Sequence, residues 1–142
     1  MSKIKQSTIK EIAKEILFGN TCYLQRATKK TITIDHSIED KKLIAVQDIR
    51  QAELEQKGRS YIKIEKLSTE NQLVIMKDFI EELRNKSSRR EVSNALNRKN
   101  PVRNFNQVIE GNMELNAHWR RFNNEEHQRW VSNFIADAYH YH

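Results

Sequence analysis

Apolar positions recur at two periods along this chain, and each change of period marks a change of element. Ile9, Ile12, Ala13, Ile16 and Leu17 fall at helical spacing, and Thr8-Ile9-Lys10-Glu11 reads as a capping box with Thr8 as N-cap. Gly19-Asn20 closes that helix, since a glycine just past the end takes the left-handed conformation at little cost. Thr21-Cys22-Tyr23-Leu24-Gln25-Arg26 and Thr31-Ile32-Thr33-Ile34-Asp35 then alternate and are rich in β-branched and aromatic residues. They predict a β-hairpin with Cys22 and Leu24 on the same face as Ile32 and Ile34. A hairpin alone is marginal, so a third strand is expected, and Tyr61-Ile62-Lys63-Ile64-Glu65-Lys66 supplies it with Ile62 and Ile64 inward.

Between them, residues 38–57 favour helix by composition, yet Leu43, Ile44, Val46, Ile49, Ala52 and Leu54 trace no single stripe. An apolar face left partly exposed there would suit a protein partner. From Ser68 onward the chain reads as helical. Thr69 and Gln72 form a second box ahead of Leu73, Met76, Phe79, Ile80 and Leu83. Ser88-Arg89-Arg90-Glu91 forms a third, opening a short helix that buries Val92, Ala95 and Leu96. Asn100 caps and Pro101 opens the next, whose buried face is Val102, Phe105, Val108 and Ile109 and which Gly111 ends. Asn112 caps a helix presenting Leu115, Trp119 and Phe122, and Asn123-Asn124 before Glu125-Glu126 predicts one more cap. The last helix then carries Trp130, Val131, Phe134, Ile135 and Ala138. The fold class is α+β: an N-terminal helix, a small antiparallel sheet made of a hairpin plus a third strand, and a helical C-terminal half. At 142 residues this is a single domain, with a helix, hairpin and strand part over 1–66 and a helical part over 67–142.

Charge sharpens this picture. The net charge is +6, and two segments hold all of the excess. Residues 1–30 carry seven Lys/Arg against two Glu, and residues 85–105 carry Lys86, Arg89, Arg90, Arg98, Lys99 and Arg103 against Glu91 alone. The second segment interleaves its cations with Ser88, Asn94, Asn97, Asn100 and Asn104, which can contact phosphates or bases. On the expected helix boundary Arg89 and Arg90 sit in a first turn, where positive charge opposes the helix dipole and an anion would relieve it. Arg89, Arg90, Arg98, Lys99 and Arg103 are therefore the candidate polyanion-binding residues, with nucleic acid as the natural partner and phosphate contacts as the main, largely sequence-independent contribution. The bland alternative is a solvated face that keeps a small protein dispersed.

Other chemistries find little support. The three Gly are scattered and build no phosphate cradle. Cys22 with His36 invites a thiolate–imidazole reading, but Cys22 sits mid-strand facing the core. Glu114 and His118, four apart, could share a helix face, yet no second ligand pair accompanies them, and no metal or other cofactor is expected. Glu81-Glu82 and Glu125-Glu126 are adjacent on helices and diverge by about 100°, so neither pair converges on one substrate atom. Trp119, Phe122 and Trp130 read as core rather than as a base-stacking platform, and Tyr139-His140-Tyr141-His142 as a frayed tail. No apolar run reaches the roughly 20 residues that span a bilayer, no apolar segment follows the basic start, and one Cys fits a reducing compartment. A cytoplasmic chain without a membrane segment is expected.

Tyr61-Ile62-Lys63-Ile64, Met76-Lys77-Asp78-Phe79-Ile80, Ala95-Leu96 leading to Pro101 and Phe105, Trp119 with Phe122, and Trp130 together resemble the bacterial uncharacterised protein family 0158. The N-terminal helix and hairpin are similar to that family's opening. Where the family usually has Phe, Lys and an aromatic, this chain has Val102, Asn106 and Arg120, which thins the aromatic surface. The resemblance implies a bacterial α+β domain and carries over no catalytic residue. The expectation is a non-enzymatic binding or regulatory domain that contacts a polyanion through 86–105. Its alternative is a protein–protein interaction module, with another protein or a second copy meeting the helix at 38–57.

Overall fold

The computed structural model describes residues 4–140, and its first helix, α1, runs Gln6–Leu17. The start lies ahead of the expected cap. Lys5 is the N-cap residue, its carbonyl accepts the N–H groups of Thr8 and Ile9, and Thr8 sits inside the first turn. Ile9, Ile12, Ala13 and Ile16 are buried, as their spacing requires. Gly19 takes φ +91°, which lets the N–H groups of Gly19 and Asn20 return to the carbonyls of Ile16 and Glu15.

Three strands follow: β1 (Thr21–Gln25), β2 (Thr31–Ile34) and β3 (Tyr61–Ile64), antiparallel in the order β2-β1-β3. The facing of the hairpin differs from the expectation. Cys22 pairs with Thr33 and Leu24 with Thr31, whereas Tyr23 pairs with Ile32. Leu24 and Thr31 pair across six residues, Gln25 to Lys30, which bend through Lys29 at φ 62°, and this even count sets even-numbered residues of β1 opposite odd-numbered residues of β2. Cys22 and Leu24 instead share a face with Ile64 and Ile62. Tyr23, Ile32, Ile34 and Tyr61 form a second apolar face. Thr21 through Leu24 are buried without alternation because both faces of β1 are covered.

The cover on the second face is α2 (Lys41–Gln56), capped by Asp40, whose carboxylate accepts the N–H groups of Lys42 and Leu43. Leu54 joins Tyr23 and Ile34 in one buried cluster. The rest of the seam is polar. Gln47 donates to the carbonyl of Asp35 and accepts its N–H, and Gln51 donates to the Tyr23 hydroxyl. That hydroxyl donates to Glu55 at 2.6 Å, and Glu55 is ion-paired with Lys63 on β3.

Residues up to Lys66, together with those from His127 onward, form one compact unit, and Leu67–Glu126 form a second. In the second, α3 (Thr69–Glu82) is capped by Ser68 rather than Thr69, and Gln72 donates to the carbonyl of Leu67. Helices α4 (Lys86–Leu96) and α5 (Pro101–Glu110) follow. Phe79 and Phe105 are fully buried and meet Trp119 edge-on at 5.2 and 4.7 Å, so these rings are core. Two helices were expected after Asn112, and one is found: α6, Met113–His140, capped by Asn112 and unbroken at Asn123-Asn124. Asn costs a helix interior only a few tenths of a kcal/mol, and neither Gly nor Pro stands there to break it.

The end of α6 belongs with the sheet. Tyr139 donates to the carbonyl of Arg26 and lies under its guanidinium, while Arg26 donates to the carbonyl of Ala138. Tyr139 and His140 are therefore helical, not frayed; Tyr141 and His142, like residues 1–3, lie outside the described residues. Phe134, expected in the core, is exposed and stacks on Trp130 at 4.9 Å.

Candidate functional site

The five candidate cations sit on α4, on the turn after it and on α5, and all are exposed. Their local chemistry is set by where the helices begin. Asn85, not Ser88, caps α4 by accepting the N–H of Ser88 at 3.0 Å. Arg89 and Arg90 thus lie one turn inside the helix, clear of its positive end, and the expected dipole conflict falls on Lys86 instead. Arg89 is also engaged, with its guanidinium 3.0 Å from Glu81 on α3.

The other end of α4 is different. Arg98 and Lys99 follow its C-terminus, where cations are favoured. Asn100 then turns the chain at φ 61°, ψ 58° and makes no side-chain cap, contrary to its expected role. Pro101 has no N–H to cap, and the turn is held from within α5 by Asn104, which donates to the carbonyl of Lys99 at 2.7 Å. Arg103 occupies the first turn of α5, which contains no acidic residue. Arg98, Lys99 and Arg103 therefore gather on one tight corner beside the positive end of a helix. None of the three has a carboxylate within ion-pairing distance among the described residues. A cleft of about 200 Å³ between α4 and α5 brings Asn94, Asn104 and Gln107 beside Arg98, with Glu91 on its rim.

A larger cleft, about 560 Å³, lies among α3, α4 and α6. His118 lines it. It bonds to Glu82 at 2.7 Å rather than to Glu114, and its ring meets the buried Phe79 edge-on. Glu82 lies 36 positions away in sequence, so no local pattern could have announced it. Glu81 and Glu82 diverge as adjacency requires, one to Arg89 and the other to His118. Among the described residues no group of three potential ligands converges to hold a metal ion.

Cys22 and His36 stay apart. Cys22 is buried, its Sγ lies 3.7 Å from Thr33 Oγ1, and burial pushes the thiol above its ordinary pKa. His36 bonds instead to Thr21 Oγ1 at 2.8 Å, on the opposite face of the strand. A raised thiol with no base beside it is a poor nucleophile.

The family described as uncharacterised protein family UPF0158 matches residues 4–140. The chain belongs to UPF0158. A curated UPF0158 protein, PA5073 of Pseudomonas aeruginosa, is 27% identical over 115 residues, covering 81% of this chain and 71% of that protein. No solved structure matches. Membership explains why the aromatic core residues carried the resemblance. It assigns no activity, because the UPF0158 name itself records none. Where this UPF0158 chain departs from the pattern, Val102 is half-buried and Asn106 and Arg120 are exposed. No described helix is long and apolar enough to cross a membrane.

Proposed function

We propose that this UPF0158 chain is a non-enzymatic, cytoplasmic binding protein that contacts a polyanion, nucleic acid in the first instance, through the corner joining α4 and α5. The observation that carries this reading is the grouping of Arg98, Lys99 and Arg103 around the Asn100 turn without carboxylate partners among the described residues. Unpaired guanidinium and ammonium groups beside an uncapped helix start attract phosphate oxygens from any sequence, and the neighbouring amide side chains add donors. Arg90 extends the surface along α4, about 9 Å of helix rise from the corner. Arg89 is the weakest of the five, because an anion must compete with Glu81 for it.

Titration of labelled single-stranded and duplex oligonucleotides at about 50 and 200 mM salt tests the reading. Three phosphate contacts on duplex DNA weaken affinity by about 40-fold across that range. Replacing both Arg98 and Lys99 by Ala should weaken binding to all sequences alike and lower the salt slope by about 2. Arg89→Ala should change it least. No binding at low salt, or unchanged affinity in the double variant, disposes of the proposal.

A second reading is a protein-interaction surface on α2. Leu43, Val46 and Ile49 support it, being 53%, 62% and 62% exposed.

A further inference from the structure

Helix α2 is held to its unit by a narrow line of residues. Gln47, Gln51 and Leu54 turn inward, Ile44 lies at their edge, and nearly everything else on the helix is exposed. At 100° per residue Lys42, Val46, Ile49 and Glu53 line up within 60° of one another on the outward side. Their spacing of four, three and four is that of an interhelical seam. The seam is apolar at its middle and oppositely charged at its ends. It is also self-complementary: turned end over end about a point between Gln47 and Asp48, Val46 faces Ile49 and Lys42 faces Glu53, each twice.

The end charges carry a second, independent argument. Lys41 and Lys42 occupy the first turn of α2, which has no acidic residue, and Glu53 and Glu55 lie near its C-terminal end, where no basic residue stands. Each charge is at the end of the helix dipole that disfavours it. Glu55 is neutralised by Lys63, but Lys42 and Glu53 have no ion pair among the described residues. Asp40 already places a carboxylate at the positive end and Lys57 follows the negative one, so what Lys42 and Glu53 lack is an ion-pair partner. An antiparallel neighbour bearing the same sequence would supply each with the other's charge, with the two dipoles opposed.

We infer that α2 is the contact surface for a second copy of this chain, paired antiparallel about a twofold axis through Val46, Ile49, Lys42 and Glu53. This rests on the reading of α2 as an interaction surface and names its occupant. A single pair of helices about 24 Å long buries less than the roughly 1,200 Å² of a standard interface, so the dimer is weak and concentration-dependent.

Sedimentation of the full chain from about 10 µM to about 1 mM, at low salt, should show the mass rising towards that of a dimer. Ile49→Arg should abolish the rise. Because Ile49 is exposed, the variant keeps its fold, which its circular dichroism verifies. Lys42→Glu and Glu53→Lys, each turning two attractions into two repulsions, should each weaken the dimer by about tenfold. The double variant Lys42→Glu/Glu53→Lys should recover it, and an equimolar mixture of the two single variants should form a heterodimer. Failure of the double variant to recover overturns the antiparallel register. If no dimer forms at about 1 mM, the choice of a second copy falls, and the surface is left to a different protein. If a dimer forms but survives Ile49→Arg and Lys42→Glu, it uses another surface, and the assignment of a second copy to α2 falls.

Discussion

Tyr23 is the residue on which the sheet unit turns. Its ring fills the face of β1 that α2 covers, and its hydroxyl both donates to Glu55 and accepts from Gln51. Tyr23→Phe keeps the ring and removes both bonds, leaving Gln51 without its partner. We expect a loss of about 1–2 kcal/mol in urea denaturation, with an unchanged m-value. The same cluster sets the pH limits of this unit. The Lys63 ammonium, together with the Tyr23 hydroxyl, holds Glu55 below its ordinary value of 4.5. Its contribution is therefore present above pH 4.5 and is lost as the pH falls through and below that value. Burial, reinforced by the Glu55 hydrogen bond, raises Tyr23 above 10.0, and the Glu55 carboxylate raises Lys63 above 10.5. Their contributions are complete below those values and are lost as the pH rises through them. The contribution of these three groups should be flat between these limits, and Glu55→Gln should make the acid limb shallower; Cys22, raised above 9.0 by burial, adds to the alkaline loss. Asp35, also lowered by its bonds from Ser37, keeps part of the acid limb in the variant.

Among the elements, α2 depends most on local chemistry. With one buried apolar side chain of its own, it relies on the Asp40 cap and on two glutamines to stay in place. Asp40→Ala should cost about 1 kcal/mol and speed amide hydrogen exchange in α2 while leaving α1 protected, because α1 buries four side chains and needs no side-chain cap. This contrast also explains what the sequence made legible. Strong apolar periodicity located α1, α3 and α5, and β-branched alternation located all three strands. Helix starts were read one to three residues late wherever a Ser or Thr stood inside the first turn, as with Thr8, Thr69 and Ser88. Such residues satisfy a capping pattern without making the bond. The facing of β2 was misread because parity depends on loop length, which composition does not encode. At the basic corner the residues were legible and their states were not. That Glu81 engages Arg89 while Arg98, Lys99 and Arg103 stay open depends on which helices lie side by side.

At the scale of the whole molecule, charge is organised rather than abundant. The helical unit, Leu67–Glu126, holds ten Lys/Arg and nine Asp/Glu, so the polyanion contact proposed for it rests on local arrangement and not on net charge. The sheet unit carries the remaining excess. It is also assembled from both ends of the chain, because the last turns of α6 hold Arg26 through Ala138 and Tyr139. A ribosome releases the helix, the hairpin and the third strand first and must then translate all of Leu67–Glu126 before their final support emerges. At about 5–20 residues per second that interval is roughly 3–12 s. Throughout it Arg26 lacks the two residues, Ala138 and Tyr139, that hold it in the finished fold.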